Sequence, residues 1–518
     1  MMAIVPALSW KKIESSHRLM TFIVLTLGVF NFFYGERVPA GGGLGWDGLI
    51  YADMVRSFHT LFSDGRLSSY YAQRILPAAV VRGILFATNA PISDTSIIRG
   101  FELYNLLLLL SGSWFWKRIA DKSELSLTGR WIGFSGIFLN FECSKQAFYY
   151  PVLTDVTALF TALLLLTFYL ERRPIALFVT TCIGSFAWPV VGICGAFLII
   201  FLQANFPGEN RTSISDTEIR SHATSASVAK VVYIAVCCVL IAGFLVMTGG
   251  NPEISHACPL PRGLAAMMQS SVMPCSLERL ITTLPNLLLT AIALVMLLGS
   301  WRAGRYLVTS IWQAPLSLIG LAIVAILMPF FIVKILSNPA LANASSLAYL
   351  LEYIFLPPPG KFFLTYVSLA VFWGPLVLLI MRYWGEFCIQ ARRLGPGFVA
   401  VIGISLPVGL ISEPRAVTIA WPFFVLAIVI VLEKLRFKAS FKYVLAILTI
   451  LYAQFWMKLN LAPWTPPDWA GLQDFPKEVY FMHYGLWMNW TFYLLQLPIV
   501  IFSLIILIGS VAKNRDCI

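Results

Sequence analysis

The residues of this chain best placed to do chemistry collect in one stretch, positions 45–82. It opens Gly45-Trp46-Asp47-Gly48 and also carries Asp53, Asp64, Arg56, Arg66, Arg74 and Arg82. Only 12% of the whole chain is charged, so this density asks for a reason. The pattern predicts a turn and then an amphipathic helix beginning at Gly48, with Asp47 as its N-cap. Ile50, Met54, Phe58 and Leu61 recur at helical spacing and supply its apolar face. Ser63-Asp64-Gly65 stops that helix, and Gln73-Arg74-Ile75-Leu76-Pro77 starts another. A helix with one apolar face beside a membrane span is expected to lie flat on the bilayer. Its carboxylate and guanidiniums then stand at the membrane–water boundary, where a lipid-linked, phosphate-bearing substrate would have to be handled.

The elements that must position these residues are set by composition. The chain has 518 residues, 58% of them hydrophobic, with a mean hydropathy of +0.79. Repeated apolar runs separated by Lys/Arg clusters predict an all-α polytopic membrane protein of about 12–14 spans in one integral membrane domain. Short alternating strands of a membrane β-barrel are not visible. The net charge of +12 belongs to the topology signal of basic cytoplasmic segments and gives no reason to expect nucleic acid.

A first span near residues 19–34 follows Lys11, Lys12 and Arg18. It resembles a signal peptide, but the many later spans favour an uncleaved helix with its N-terminus inside. Residues 35–97 then form a first extracytoplasmic loop. Spans are expected at about 98–116, 131–149 and 153–170. The run 174–203 is too long for one crossing, and Ala187-Trp188-Pro189 in its middle predicts a hairpin of two short helices. Residues 205–230 read as a cytoplasmic loop. Eight more spans are expected at about 231–248, 279–300, 315–335, 363–381, 397–411, 417–432, 443–459 and 490–511, which returns the C-terminus to the cytoplasm. Residues 336–362 and 460–489 are outer segments that could close over a ligand. Trp464, Trp469, Tyr480 and Trp487 in the second suit either interfacial anchoring or a platform for a sugar ring. Cys258 and Cys275 share one outer loop, where a disulfide would form in an oxidising compartment. His59, His256 and His483 have no ligand spacing, so no metal and no other cofactor is assigned.

Three patches together resemble the GT-C superfamily, polytopic glycosyltransferases that use polyprenyl-phosphate sugars on the non-cytoplasmic face. The first is Trp46-Asp47-Gly48 with Tyr51, followed by Arg74-Ile75-Leu76-Pro77. The second is Tyr149-Tyr150-Pro151-Val152-Leu153-Thr154-Asp155, similar to the segment that opens a later span in such proteins. The third is Ser412-Glu413-Pro414-Arg415 with Trp421-Pro422, similar to a Glu/Arg pair before a late span. The likeness covers the layout of most of the chain, while its specific motifs are short. It implies transfer of a sugar from a polyprenyl-phosphate donor to a lipid or glycan acceptor, in a bacterial plasma membrane. Asp47 would act as general base. Arg74, Arg82 and Arg415 would hold the phosphate through charge-assisted hydrogen bonds, and Tyr51, Asp155 and Glu413 would complete the substrate site. A single displacement would invert the anomeric centre. Many relatives carry a paired acid at the first position. Here the nearest is Asp53, six residues on, which does not suit a metal-chelating pair.

Each assignment has a structural rival. Asp47 and Asp155 also suit helix caps. Arg74 and Arg82 could reach lipid phosphates from a surface helix, and Glu413 and Arg415 could pair across a turn. Glu142 and Lys145, at i and i+3 in an apolar run, could neutralise each other, although charge at such depth tends to be functional. The rival function is a transporter or flippase for lipid-linked glycans. Against it stand the near absence of charge at span centres and the lack of an internal repeat.

Overall fold

A computed structural model describes residues 4–61, 64–204, 277–299, 310–341, 361, 363–411, 413–435, 437–438, 440–460, 485, 488 and 490–510. Among these residues the chain is helical and contains no strand. The expected span at 231–248, the Cys258–Cys275 pair and most of the outer segments 336–362 and 460–489 lie outside the described residues.

Among the described residues, three helices are long and apolar enough to cross a membrane: 13–34 within α1 (Ile4–Tyr34), α12 (Leu316–Leu336) and 492–510 within α19 (Trp490–Ser510). They turn large apolar side chains outward. Phe22, Phe33, Leu316, Ile335, Phe502 and Ile505 are each more than half exposed, as lipid contact requires.

The interior is built from α5 (Asp94–Lys122), α6 (Leu127–Phe138), α8 (Asp155–Leu170) and α17 (Trp421–Lys434). α5 packs along α1 and α8, and α17 packs against α6 and α8. α5 is capped by the Ser93 hydroxyl, which accepts from Ser96 N–H, and α6 by Ser126, which accepts from Gly129 N–H. The hairpin predicted in 174–203 is present as α9 (Pro174–Gly184) and α10 (Val190–Ile200), which pack on each other and on α12. Five further helices complete the bundle: α13 (Leu364–Trp373), α14 (Leu376–Arg382), α15 (Trp384–Arg393), α16 (Pro396–Gly409) and α18 (Ser440–Ala453). α11 (Leu277–Leu298) packs on α15 and α16.

Two expected spans are broken. The run 131–149 does not continue as one helix, because Asn140 ends α6. Its side-chain amide donates to the Gly136 and Ile137 carbonyls, and its oxygen accepts from Cys143 N–H. A π-turn, Glu142–Gln146, follows, and then a single turn, α7 (Ala147–Tyr149). The run 363–381 is divided at Gly374, whose φ of 85° is outside the helical region and which precedes Pro375.

The stretch 45–82 folds as α2 (Asp47–Arg56), a short α3 (Ser69–Ala72) and α4 (Ile75–Ala87). Two expectations change here. Asp47 is the first helical residue and makes no capping bond, since Trp46 holds the cap position. The expected apolar face is met in part, since Met54 and Leu61 are buried and Phe58 packs against the core, but not as one helix. α2 ends at Arg56, before Phe58 and Leu61, and it buries Tyr51, Ala52, Met54 and Val55 while Ile50 is 39% exposed. The face turned inward is the one that meets α4 and α5.

Gly45 explains why this stretch enters α2 where it does. Its φ is +73°, and a Cβ there would sit 2.1 Å from Cζ of Tyr150. The Tyr150 hydroxyl in turn lies 3.3 Å from Gly48 N–H. A side chain at Gly45 would meet both a backbone penalty and a ring that cannot move freely. Gly45→Ala is therefore expected to destabilise the protein by more than about 1 kcal/mol, seen as a lowered thermal midpoint in lipid or detergent. An unchanged midpoint would contradict this reading of the turn.

Candidate active site

The guanidinium of Arg415 is the point on which three separated segments converge. It stands in a 3-10 turn, Pro414–Val417, between α16 and α17. Its Nε donates to Glu413 Oε1. Nη2 lies 3.9 Å from Asp47 Oδ2, and Nη1 lies 3.9 Å from Asp155 Oδ2. The first is a hydrogen bond, and the other two are looser ion pairs. Each of the three faces of this cation is thus turned to a carboxylate.

These acids differ in access. The Asp47 side chain is 35% exposed and Arg415 25%, whereas Asp155 is 3% exposed. Asp155 opens α8, with neither carboxylate oxygen hydrogen-bonded. Glu142 is also buried, has an orphaned Oε2, and counts Asp155 and Arg415 as its charged neighbours. Buried carboxylate oxygens without donors are costly, so the floor of this cluster is a place of stored electrostatic tension.

Two tryptophans fix the turn that carries Arg415. Trp373 Nε1 donates to the Pro414 carbonyl at 2.9 Å, and its ring stacks on Trp421 at 4.9 Å. Trp421 Nε1 donates to the Gly136 carbonyl at 2.9 Å, which ties the turn to α6. The Arg415 carbonyl accepts from the Thr418 hydroxyl. Across the site, Asn105 of α5 donates to the Ala147 and Pro151 carbonyls and holds the irregular segment that leads to Asp155.

Arg74 forms the neighbouring wall. Its guanidinium lies 3.8 Å from the centre of the Tyr70 ring and 5.6 Å from that of Trp188, and it donates to the Tyr70 carbonyl. The two rings and the backbone bond together hold a planar cation in place. Tyr51, one turn after Asp47, is buried with Arg74, Asp47 and Arg415 as charged neighbours. Burial pushes the Tyr51 and Tyr70 phenols above their ordinary range, so both are O–H donors at neutral pH.

Arg82 stands apart from the cluster. It is two turns beyond Arg74 on α4 and donates to the Val55 carbonyl at the end of α2, an ordinary use of a cation at a helix C-terminus. Asp53 is likewise turned away from Asp47 and pairs with Arg66 at 3.5 Å. Among the described residues, no three His, Cys, Asp or Glu side chains converge to hold a metal ion.

The alternative pairing of Glu142 with Lys145 does not occur. A π-turn is wider than an α-turn, so i and i+3 do not stack. Lys145 pairs instead with Glu36 at 2.9 Å. Glu36 also accepts from the Leu459 and Asn460 N–H groups, while Asn460 bonds the Arg37 carbonyl and the Tyr149 hydroxyl. Sequence reasoning missed this knot, together with Tyr70, Trp188 and the Trp373–Trp421 pair. Trp188 in a predicted hairpin turn and Trp421 beside the third patch offered the only signals.

Comparison with protein-family models, curated proteins and solved structures returned no match.

The Glu36 knot carries a pH prediction. Burial raises its carboxyl, but the Leu459 N–H, Lys145 and Asn460 N–H outweigh this and hold it below the ordinary 4.5. The stability it contributes is full above that ordinary value and is lost as pH falls through the lower folded value. At neutral pH, Glu36→Gln leaves Lys145 without its buried partner and is expected to cost about 3 kcal/mol. The gap between the thermal midpoints of wild type and variant should close on acidification below about pH 4.5. A gap that stays constant would show that the charge of Glu36 contributes nothing.

Proposed function

We propose that this chain is a polytopic membrane glycosyltransferase, which moves a sugar from a polyprenyl-phosphate donor to a lipid or glycan acceptor at the extracytoplasmic face. The observation that carries the reading is the meeting of Asp47, Asp155 and Glu413 on Arg415, beside Arg74 and Tyr51. A carboxylate open to solvent next to fixed guanidiniums suits both halves of the reaction. Asp47 takes the acceptor's proton as its oxygen attacks the anomeric carbon. The C–O bond to the phosphate breaks, and Arg415 and Arg74 hold the departing phosphate monoester with charge-assisted bonds. The Tyr51 and Tyr70 hydroxyls add neutral donors to the same oxygens. Attack opposite the leaving group inverts the anomeric centre. No resident metal is assigned a step.

A transporter or flippase for lipid-linked glycans is the second reading. It is favoured by the buried and hydrogen-bond-deficient Asp155 and Glu142, since buried acids in membrane proteins often mark ion pathways.

The test uses purified protein in lipid vesicles, with radiolabelled polyprenyl-phosphate sugars and a panel of lipid and glycan acceptors. Asp47→Asn is expected to lower the transfer rate by about 100-fold or more with an unchanged thermal midpoint. Transfer that survives at the wild-type rate would remove Asp47 as the base. Wild-type protein that transfers no sugar from any donor, but moves the lipid-linked glycan between leaflets, would establish the second reading.

A further inference from the structure

The three orphaned oxygens at the floor of the cluster have a consequence for how a phosphate can bind. Asp155 and Glu142 are 2% and 1% exposed. Asp155 Oδ1 and Oδ2 and Glu142 Oε2 accept no hydrogen bond. The positive charge nearest them is Arg415, which they share with Asp47 and Glu413. Arg415 therefore already serves as counter-ion to more acids than one cation can neutralise.

The groups facing the pair can be named from each side. The 3-10 turn presents Arg415 and Glu413, the N-cap of α4 presents Arg74, and α2 presents Asp47 through Arg415. The π-turn contributes Cys143 beside Glu142. α5 contributes uncharged groups: Tyr104, bonded to Thr157 one turn into α8, and Asn105. Among the described residues, no further cation is turned to Asp155 or Glu142.

A phosphate that engages Arg415 must draw its N–H groups away from these acids. Asp47 and Glu413 are partly exposed and are then stabilised by water. Asp155 and Glu142 are not, and an uncompensated buried carboxylate relieves its cost by neutralisation. We propose that Asp155 and Glu142 form a buried proton-binding pair, which takes up a proton from solvent when an anionic phosphate engages Arg415. The inference rests on the phosphate-binding role given to Arg415 above. The ligand of the pair is the proton itself. It is held as the O–H of one carboxyl of the pair. By linkage, protonation must strengthen phosphate binding to the same degree.

The probe is farnesyl methyl phosphate, an isoprenyl phosphodiester that does not titrate near neutrality. Its binding to full-length protein in nanodiscs is followed by titration calorimetry in buffers of different ionisation enthalpy. Close to one proton should be taken up per bound diester, with affinity rising about tenfold for each pH unit lowered. Asp155→Asn with Glu142→Gln should bind the diester with no proton uptake and a flat pH profile. Wild-type binding without uptake would overturn the proposal while leaving the phosphate site intact, and so would a double variant that still takes up the proton. The wild-type result needs no variant to fold. If wild-type protein binds no diester at all, both the proposal and the phosphate role of Arg415 fall.

Discussion

The structure depends on one cation shared among several anions. Arg415 reaches Asp47 from the start of α2, Asp155 from the start of α8 and Glu413 from its own turn. These segments are far apart in sequence, and each presents its acid at a helix end or a turn, away from the helix interiors. Removing the cation would leave Asp155 and Glu142 buried together with Arg74 as the remaining facing cation among the described residues, at a substantial cost. The surrounding architecture serves to keep Arg415 still. The Trp373–Trp421 stack binds the turn to α6, and Asn105 binds the approach to Asp155 onto α5.

The same logic links backbone shape to chemistry. Asn140 stops α6 early and the π-turn widens the next few residues, which places Glu142 under Asp155 and sends Lys145 toward Glu36. An uninterrupted helix over 131–149 would have put both charges on one face and cancelled them. Gly45 admits the Tyr150 ring, and that ring sets Asp47 against the segment carrying Asp155. Arg74, held by the Tyr70 and Trp188 rings, adds a second cation at the same wall. The result is a partly open mouth of acids and guanidiniums above a closed acidic floor.

Much of this was legible in the sequence, for particular reasons. Helices follow from apolar runs, and the hairpin at Ala187-Trp188-Pro189 follows from a run too long for one crossing and a proline in its middle. The charge density of residues 45–82 marked the site's first wall. The patches at 149–155 and 412–415 were joined to it only by likeness to a family layout, because no local pattern predicts which helix ends meet. The length of α2 and the alternative pairing of Glu142 with Lys145 depart from expectation for one common reason. Both expectations assume regular α-helical spacing, and the chain departs from it at Ser57 and the π-turn. The Glu36 knot had no local signal, since its partners come from opposite ends of the chain.

The central claim is that Asp47 and Arg415 act as one unit in sugar transfer. A double-mutant cycle on the transfer rate measures this most directly, using Asp47→Asn, Arg415→Gln and the combined variant in lipid vesicles. The account predicts a combined loss far smaller than the product of the single losses, because each change already disables the shared site. Losses that multiply independently, or single variants that transfer sugar as well as the wild type, would contradict it.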